Sequence, residues 1–159
     1  MPALERFTTA QSESGSGFDA AMAELRAGRK RGHWIWYVFP QLAGLGVSSA
    51  SQTYAISDRA EAVAYLLDPT LGSRLLLSTT VVAEQLRRGV PLDTLMASSI
   101  DARKLVSSLT LFGAVARDLM SEPGGELPAS LVHVADEVLD RAAAQGYPAC
   151  EFTRTQLGR

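Results

Sequence analysis

Apolar residues recur at three- and four-residue intervals through three long segments of this chain, and glycine or proline ends each segment. Such spacing places the apolar side chains on one face of an α-helix, because the helix turns once in about 3.6 residues. Glycine and proline then end the helices, since glycine adopts left-handed backbone and proline lacks an N–H. The pattern predicts long helices over about 69–88, 100–120 and 128–145, with Pro128 at the first helical position of the last one.

Shorter segments carry helical signals as well. Apolar spacing predicts a helix over 18–27, and a short helical stretch is predicted near 48–56. Asp58 followed three residues later by Glu61 is typical of a capping box, which opens a helix through Leu67.

The remaining segments decide the fold class. Residues 34–39 are aromatic or β-branched and favour a strand by propensity, but no partner strand follows, so we predict a short helix ended by Pro40. The piece around Phe7 and the short polar tail from Cys150 carry no helix prediction. We therefore expect an all-α fold, a single compact domain over 1–159 built from about six to eight short helices.

The composition argues against several classes of function and of binding partner. Hydrophobic residues make up 47% and charged residues 20%, as in globular proteins. The formal net charge of -2 gives no overall attraction to a phosphate backbone and argues against a nucleic-acid partner. Cys150 is the only cysteine, which excludes an internal disulfide and favours a reducing cytoplasm. No apolar run reaches the roughly 18–20 residues of a membrane helix. No metal-binding histidine motif occurs either, so we expect no membrane association, metal or cofactor.

The run from His33 to Gly46 contains both tryptophans and one of the two histidines. Trp34 and Trp36 could form a flat wall that stacks a ring, a base or a cation. His33 would suit a general acid or base, and Gln41 could hydrogen-bond an amide or a base edge. In this interpretation the segment is a binding site.

The alternative interpretation is that the same segment fills the core. Trp34, Trp36 and Phe39 would then pack between helices, with Tyr37 at the surface and His33 an ordinary structural residue. Aromatic-rich segments usually have this role.

Four further side chains are candidates for a site. Lys30, in a short basic run, could hold a phosphate or carboxylate, and Lys104 and Ser108 share a helical face with Asp101. Glu61 could act as a water-activating carboxylate. The competing explanations are a solvated basic face, a surface ion pair and a helix cap, respectively.

The sequence motifs of this chain resemble those of the family known as domain of unknown function 1810. The matching stretches are Gly28-x-Lys30-x-x-His33-Trp34-Ile35-Trp36-Tyr37-Val38-Phe39-Pro40-Gln41, Gly44-Leu45-Gly46-x-Ser48, Leu71-Gly72-x-Arg74-Leu75 and Asp101-x-x-Lys104-Leu105-x-Ser107-Ser108. The resemblance implies an all-helical fold, an irregular array of short helices somewhat like armadillo-type repeats. It implies no settled activity.

Two functions remain open at this level. The first is a site for a small nucleotide-like or anionic molecule; in an enzymatic form of this hypothesis, His33 and Glu61 would be catalytic. Its ligand-binding residues would be Lys30, Trp34, Trp36, Gln41, Lys104 and Ser108. The second is a non-catalytic protein-interaction or scaffolding module. A cavity shared by the polar candidates would favour the first, and an exposed apolar patch with scattered charges the second.

Overall fold

The computed structural model describes residues 2–158, and within that range the chain forms ten α-helices and no β-strand. The prediction of an all-α fold is confirmed. In chain order the helices are α1 (Pro2–Gln11), α2 (Phe18–Arg26), α3 (Ile35–Val38), α4 (Ser49–Thr53), α5 (Arg59–Leu67), α6 (Pro69–Arg87), α7 (Leu92–Leu95), α8 (Ser99–Leu119), α9 (Glu126–Ala144) and α10 (Glu151–Gln156).

The starts of the long helices follow from their first residues. Asp68 accepts hydrogen bonds from the backbone N–H of Thr70 and Leu71, and Pro69 supplies the first helical residue. Ser98 caps α8 in the same way by accepting from the N–H of Asp101. Side-chain caps of this kind satisfy N–H groups that have no partner within the helix.

The three long helices form the centre of the fold. Helix α9 packs against both α6 and α8, while α5 bridges α6 and α8 and α2 lies on α6. Their apolar stripes meet in one hydrophobic core, in which Leu75, Phe112 and Val138 are fully or almost fully buried. The faces predicted from the apolar spacing are therefore the faces that pack.

Some sequence predictions need correction. Ten helices exceed the expected six to eight, because α1, α7 and α10 form where no helix was predicted. Pro128 is the third residue of α9, not the first. Tyr37, expected at the surface, is buried with its hydroxyl donating to the Ser16 carbonyl at 2.6 Å.

None of the described helices is long and apolar enough to cross a membrane. Within the same residues, no group of three or more metal-ligating side chains comes together.

A polar contact ties the N-terminal helix to the start of α5. The Arg6 guanidinium donates to both carboxylate oxygens of Glu61, at 3.1 and 2.9 Å, and to the carbonyls of Thr53 and Ala55. Glu61 also accepts from the N–H of Ser57. Burial opposes ionisation of Glu61, but these hydrogen bonds outweigh it and hold the pKa of the carboxyl below its ordinary value.

We expect Glu61→Gln to lower the free energy of unfolding by about 1–3 kcal/mol at neutral pH, because it removes a charge-assisted hydrogen-bond pair. The folded-state pKa of Glu61 is depressed, so its contribution is present above the ordinary carboxyl pKa of 4.5 and is lost as pH falls through the folded value. Urea unfolding at pH 7 and near pH 3.5 measures this difference, which should shrink on acidification. The exposed Glu5→Gln is the matched control; a loss that is equal at both pH values would contradict the assignment.

Candidate functional site

The turn between α2 and α3 is built around one carboxylate. Glu24 accepts hydrogen bonds from the backbone N–H of Arg31 at 2.7 Å, from that of Gly32 at 2.8 Å and from the Trp34 indole at 2.8 Å. Burial opposes its ionisation, but these three donors lower the pKa of the Glu24 carboxyl. Trp34 itself is fully buried. It therefore serves the core and orders the turn.

Lys30 fixes this turn to the start of α8. Its side chain is only 5% exposed, and its ammonium pairs with the Asp101 carboxylate at 2.8 Å. The same group donates to the Gly32 carbonyl and lies 5.1 Å from the centroid of the Trp34 ring. A buried ammonium with these partners is a structural tie, because its charge is already neutralised.

Lys104 is placed differently from Lys30. It lies one turn after Asp101 on α8, 3.9 Å from the second oxygen of that carboxylate, and its ammonium is 5.0 Å from the centroid of the half-buried Trp36 ring. Since Asp101 makes its close contact with Lys30, the charge of Lys104 is only weakly compensated. Lys30 is thus a structural cation, whereas the ammonium of Lys104 can still pair with a bound anion.

A cavity of about 440 Å³ opens beside Lys104, between the loop after α3, the first half of α8 and the segment before α10. Arg103 and Lys104 are the charged residues of its lining within the described chain, and no carboxylate lines it. Its lining residues are Gln41, Leu45, Gly46, Ile100, Arg103, Lys104, Val106, Ser107, Gly146, Tyr147, Pro148 and Cys150.

Backbone hydrogen bonds hold the first wall of the cavity in place. The carbonyl of Gln41 accepts from the N–H of Ile56 at 2.9 Å, and the N–H of Ala43 donates to the Ile56 carbonyl at 2.8 Å. Gly44 has φ +103, and a Cβ there would lie 2.9 Å from the Phe152 ring, so glycine alone fits without rearrangement. These bonds fix the backbone of Gln41, which lines the cavity.

Cys150 contributes the opposite wall. Its sulfur accepts a hydrogen bond from the Thr153 hydroxyl at 3.2 Å and another from Ser107. Burial opposes ionisation, but hydrogen bonds from Ser107, from Thr153 and from the N–H groups of Phe152 and Thr153 lower the pKa of the Cys150 thiol. The cavity thus holds a thiol with raised thiolate character.

The comparison with known proteins identifies the family. The sequence pattern of a protein family of unknown function, DUF1810, matches residues 2–122. The chain belongs to the DUF1810 family. The resemblance seen in the sequence motifs is thereby confirmed. The matched range ends before Tyr147 and Cys150, so one wall of the cavity lies outside it.

The solved structure of another protein is similar to nearly the whole chain, including the residues after 122 that the family pattern does not match. The crystal structure of the conserved hypothetical protein Rv1873 from Mycobacterium tuberculosis is 34% identical, with a TM-score of 0.74. The match covers 98% of this chain and 96% of that one. None of the curated proteins compared with this sequence matches it.

The polar candidates chosen from the DUF1810 sequence do not all come together. Gln41 and Lys104 line the cavity, whereas Lys30 is absent from the lining and is paired with Asp101. His33 is exposed and is absent from the lining, while Glu61 is bound to Arg6. Ser108 is fully buried one turn beyond Lys104.

Three cavity residues, Arg103, Tyr147 and Cys150, were not among the site residues expected from the sequence. Arg103 lies 5.8 Å from the centroid of the Tyr147 ring, although the two residues are far apart in the chain. The one available signal was that Cys150 is the sole cysteine and lies just after Tyr147-Pro148, but neither fact shows that this segment faces α8.

We expect Lys30→Met to lower the free energy of unfolding by about 3 kcal/mol, the lower end of the range for breaking a buried ion pair, because Lys104 can approach the freed carboxylate. Urea unfolding measures the loss. Arg29→Met removes a neighbouring but exposed cation and should change stability by less than about 0.5 kcal/mol. Equal effects of the two variants would show that Lys30 is not the structural tie described here.

The lowered pKa of Cys150 gives a second prediction. The rate of its alkylation by iodoacetamide, followed against pH, should rise with a midpoint below the ordinary thiol pKa of 9.0. Ser107→Ala removes a donor to the sulfur and should move the midpoint to higher pH. Ser130→Ala, on the exposed face of α9, is the control, and an unchanged profile in Ser107→Ala would refute the role of that hydrogen bond.

Proposed function

We propose that the cavity beside Lys104 binds a small anionic, nucleotide-like molecule. One observation carries the proposal: two cationic side chains, Arg103 and Lys104, line a mainly apolar hollow that has no carboxylate in its described lining. Small-molecule sites typically combine apolar walls with a few convergent polar groups.

The electrostatics favour an anion. Asp101, the nearest acid to Lys104, is held at 2.8 Å by Lys30 and stands 3.9 Å from Lys104. A partly buried ammonium with a distant, shared counter-ion gains from a bound phosphate or carboxylate, since low local dielectric strengthens the attraction.

The walls favour a ligand with a flat or apolar part. The planar Arg103 guanidinium, 5.8 Å from the centroid of the buried Tyr147 ring, offers a stacking surface, while Leu45 and Val106 supply aliphatic contact. Gln41 carries both a donor and an acceptor, which suits the edge of a base. A nucleotide combines an anionic end with a ring of this kind.

We propose a binding function and assign no catalytic residue. His33 and Glu61, the catalytic candidates of the sequence, stand outside the cavity lining, and Glu61 is engaged by Arg6. The cavity lining does contain Cys150, whose hydrogen bonds lower the pKa of its thiol.

A second candidate function is a protein-interaction module. Val47, which follows the lining residue Gly46, is 92% exposed, and Ile100 at the cavity is 61% exposed. Exposed aliphatic residues beside a hollow also suit an apolar side chain of a partner protein.

Ligand-induced stabilisation tests the binding proposal. Melting temperatures of the protein should rise with AMP, NAD or glucose 6-phosphate, since a ligand at one hundred times its Kd adds about 2.7 kcal/mol. Lys104→Met should abolish the rise while leaving the unliganded stability close to that of the wild type, and Arg88→Met, an exposed cation at the end of α6, should keep it. The stabilising ligand should also slow alkylation of Cys150.

Two results would contradict the proposal. One is an absence of stabilisation by every compound of the panel. The other is an equal rise in Lys104→Met and wild type together with unprotected Cys150, which would place the bound compound elsewhere on the molecule.

A further inference from the structure

Two buried hydrogen-bonding atoms of the described chain have no partner within it: the indole Nε1 of Trp36 and the hydroxyl oxygen of Ser108. Ser108 as a whole is fully buried. Buried polar atoms in folded proteins are nearly always hydrogen-bonded, because leaving water without a replacement partner is costly. Each of these two atoms therefore calls for an explanation.

Other hydroxyls in buried parts of helices show that Ser108 is an exception. The hydroxyls of Ser78, Thr79 and Thr110 each donate to the carbonyl four residues earlier, at 2.9, 2.7 and 2.7 Å. That arrangement is the usual way for a helix to satisfy such a group. Ser108 also lies within a long helix, α8, but its hydroxyl makes no such bond in the described structure.

Lys104 connects the two unpartnered atoms to the cavity. Its ammonium lies 5.0 Å from the centroid of the Trp36 ring, and Ser108 follows it by four residues, so the two side chains share one face of α8. Lys104 also lines the cavity, with Gln41 in the same lining. Neither Trp36 nor Ser108 is in that lining, so a reorientation of the flexible Lys104 side chain would have to give a ligand access from the cavity to the two donors.

We propose that the Trp36 indole N–H and the Ser108 hydroxyl, together with Lys104, form the subsite for the phosphate group of a phosphate-bearing ligand. This inference rests on the proposed function and names the anionic end of its ligand.

The donor set favours a phosphate over a carboxylate. An ammonium and an indole N–H can only donate, and the hydroxyl donates as well when its partner is an anion. The three donors come from separate side chains, and a phosphate monoester offers three terminal oxygens to meet them, whereas a carboxylate offers two. Arg103, near the Tyr147 ring, is left to face the rest of the ligand.

The two tryptophans provide an internal comparison by NMR. The chain has two indole N–H groups, and the one on Trp34 already donates to Glu24 at 2.8 Å. Titration of ¹⁵N-labelled protein with inorganic phosphate at constant pH and ionic strength should move the Trp36 indole signal and leave the Trp34 signal in place. Trp36→Phe assigns the signal by its disappearance, and acetate, the carboxylate arm, should produce a much smaller movement.

Variants of Ser108 separate a ligand contact from a structural role. Ser108→Ala should weaken phosphate binding by about tenfold, as expected for a lost hydrogen bond to a charged group. Its melting temperature without phosphate should equal or exceed that of the wild type, since an unpaired buried hydroxyl has been removed. Ser78→Ala, whose hydroxyl bonds to its own helix, should leave phosphate affinity unchanged.

The outcomes distinguish this inference from the proposed function. If phosphate stabilises the protein in a Lys104-dependent manner but the Trp36 signal stays still, or if Ser108→Ala binds as tightly as wild type, the subsite is wrong while the anion site stands. If acetate moves the Trp36 signal as far as phosphate, the assignment to phosphate is wrong. If neither phosphate nor any compound of the nucleotide panel binds, the proposed function fails and the subsite fails with it.

Discussion

The ion pair between Lys30 and Asp101 sets the geometry on which the rest of this structure depends. It joins the turn after α2 to the first turn of α8, with Lys30 almost fully buried and the two charged atoms 2.8 Å apart. Buried ion pairs add little net stability, because desolvation of the charges offsets their attraction. Their effect is positional, since any arrangement that separates the charges leaves one of them buried without a partner. The pair is reinforced from one side by Glu24, which gathers the N–H groups of the same turn and the indole of Trp34.

The two tryptophans of the aromatic segment differ in their burial. Trp34 turns inward and becomes core, and Trp36, two residues later, lies half-buried against Lys104. Because Lys30 takes the close contact with Asp101, the shared carboxylate compensates the charge of Lys104 only weakly, at 3.9 Å. Trp34 thus has the core role, and Trp36 also packs against the core, while a binding role for Trp36 is part of our proposal. The binding proposal rests on this difference between the two lysines, which share the carboxylate of Asp101.

The sequence predicts the fold well wherever the apolar pattern is long. Helices α6, α8 and α9 were predictable because each repeats its apolar spacing over several turns, and even α3 was predictable from the absence of a partner strand and from Pro40. Helices α1, α7 and α10 have at most ten residues and few apolar positions, and tertiary contacts stabilise them through residues such as Phe7 and Leu95. Two of the residues proposed from the sequence, Gln41 and Lys104, line the cavity, and both belong to conspicuous local patterns. Arg103 and Cys150 were not proposed from the sequence, since their shared cavity depends on how the segment before α10 returns to α8, and no local spacing encodes that return.

The most direct test of this account is a crystal structure of the protein grown with AMP. The account predicts that the phosphate lies within hydrogen-bonding distance of the Lys104 ammonium, that Lys30 stays on Asp101, and that the base lies toward Tyr147. A structure in which Lys104 has taken Asp101 from Lys30, or in which AMP binds outside the cavity between α8 and the segment before α10, would contradict it.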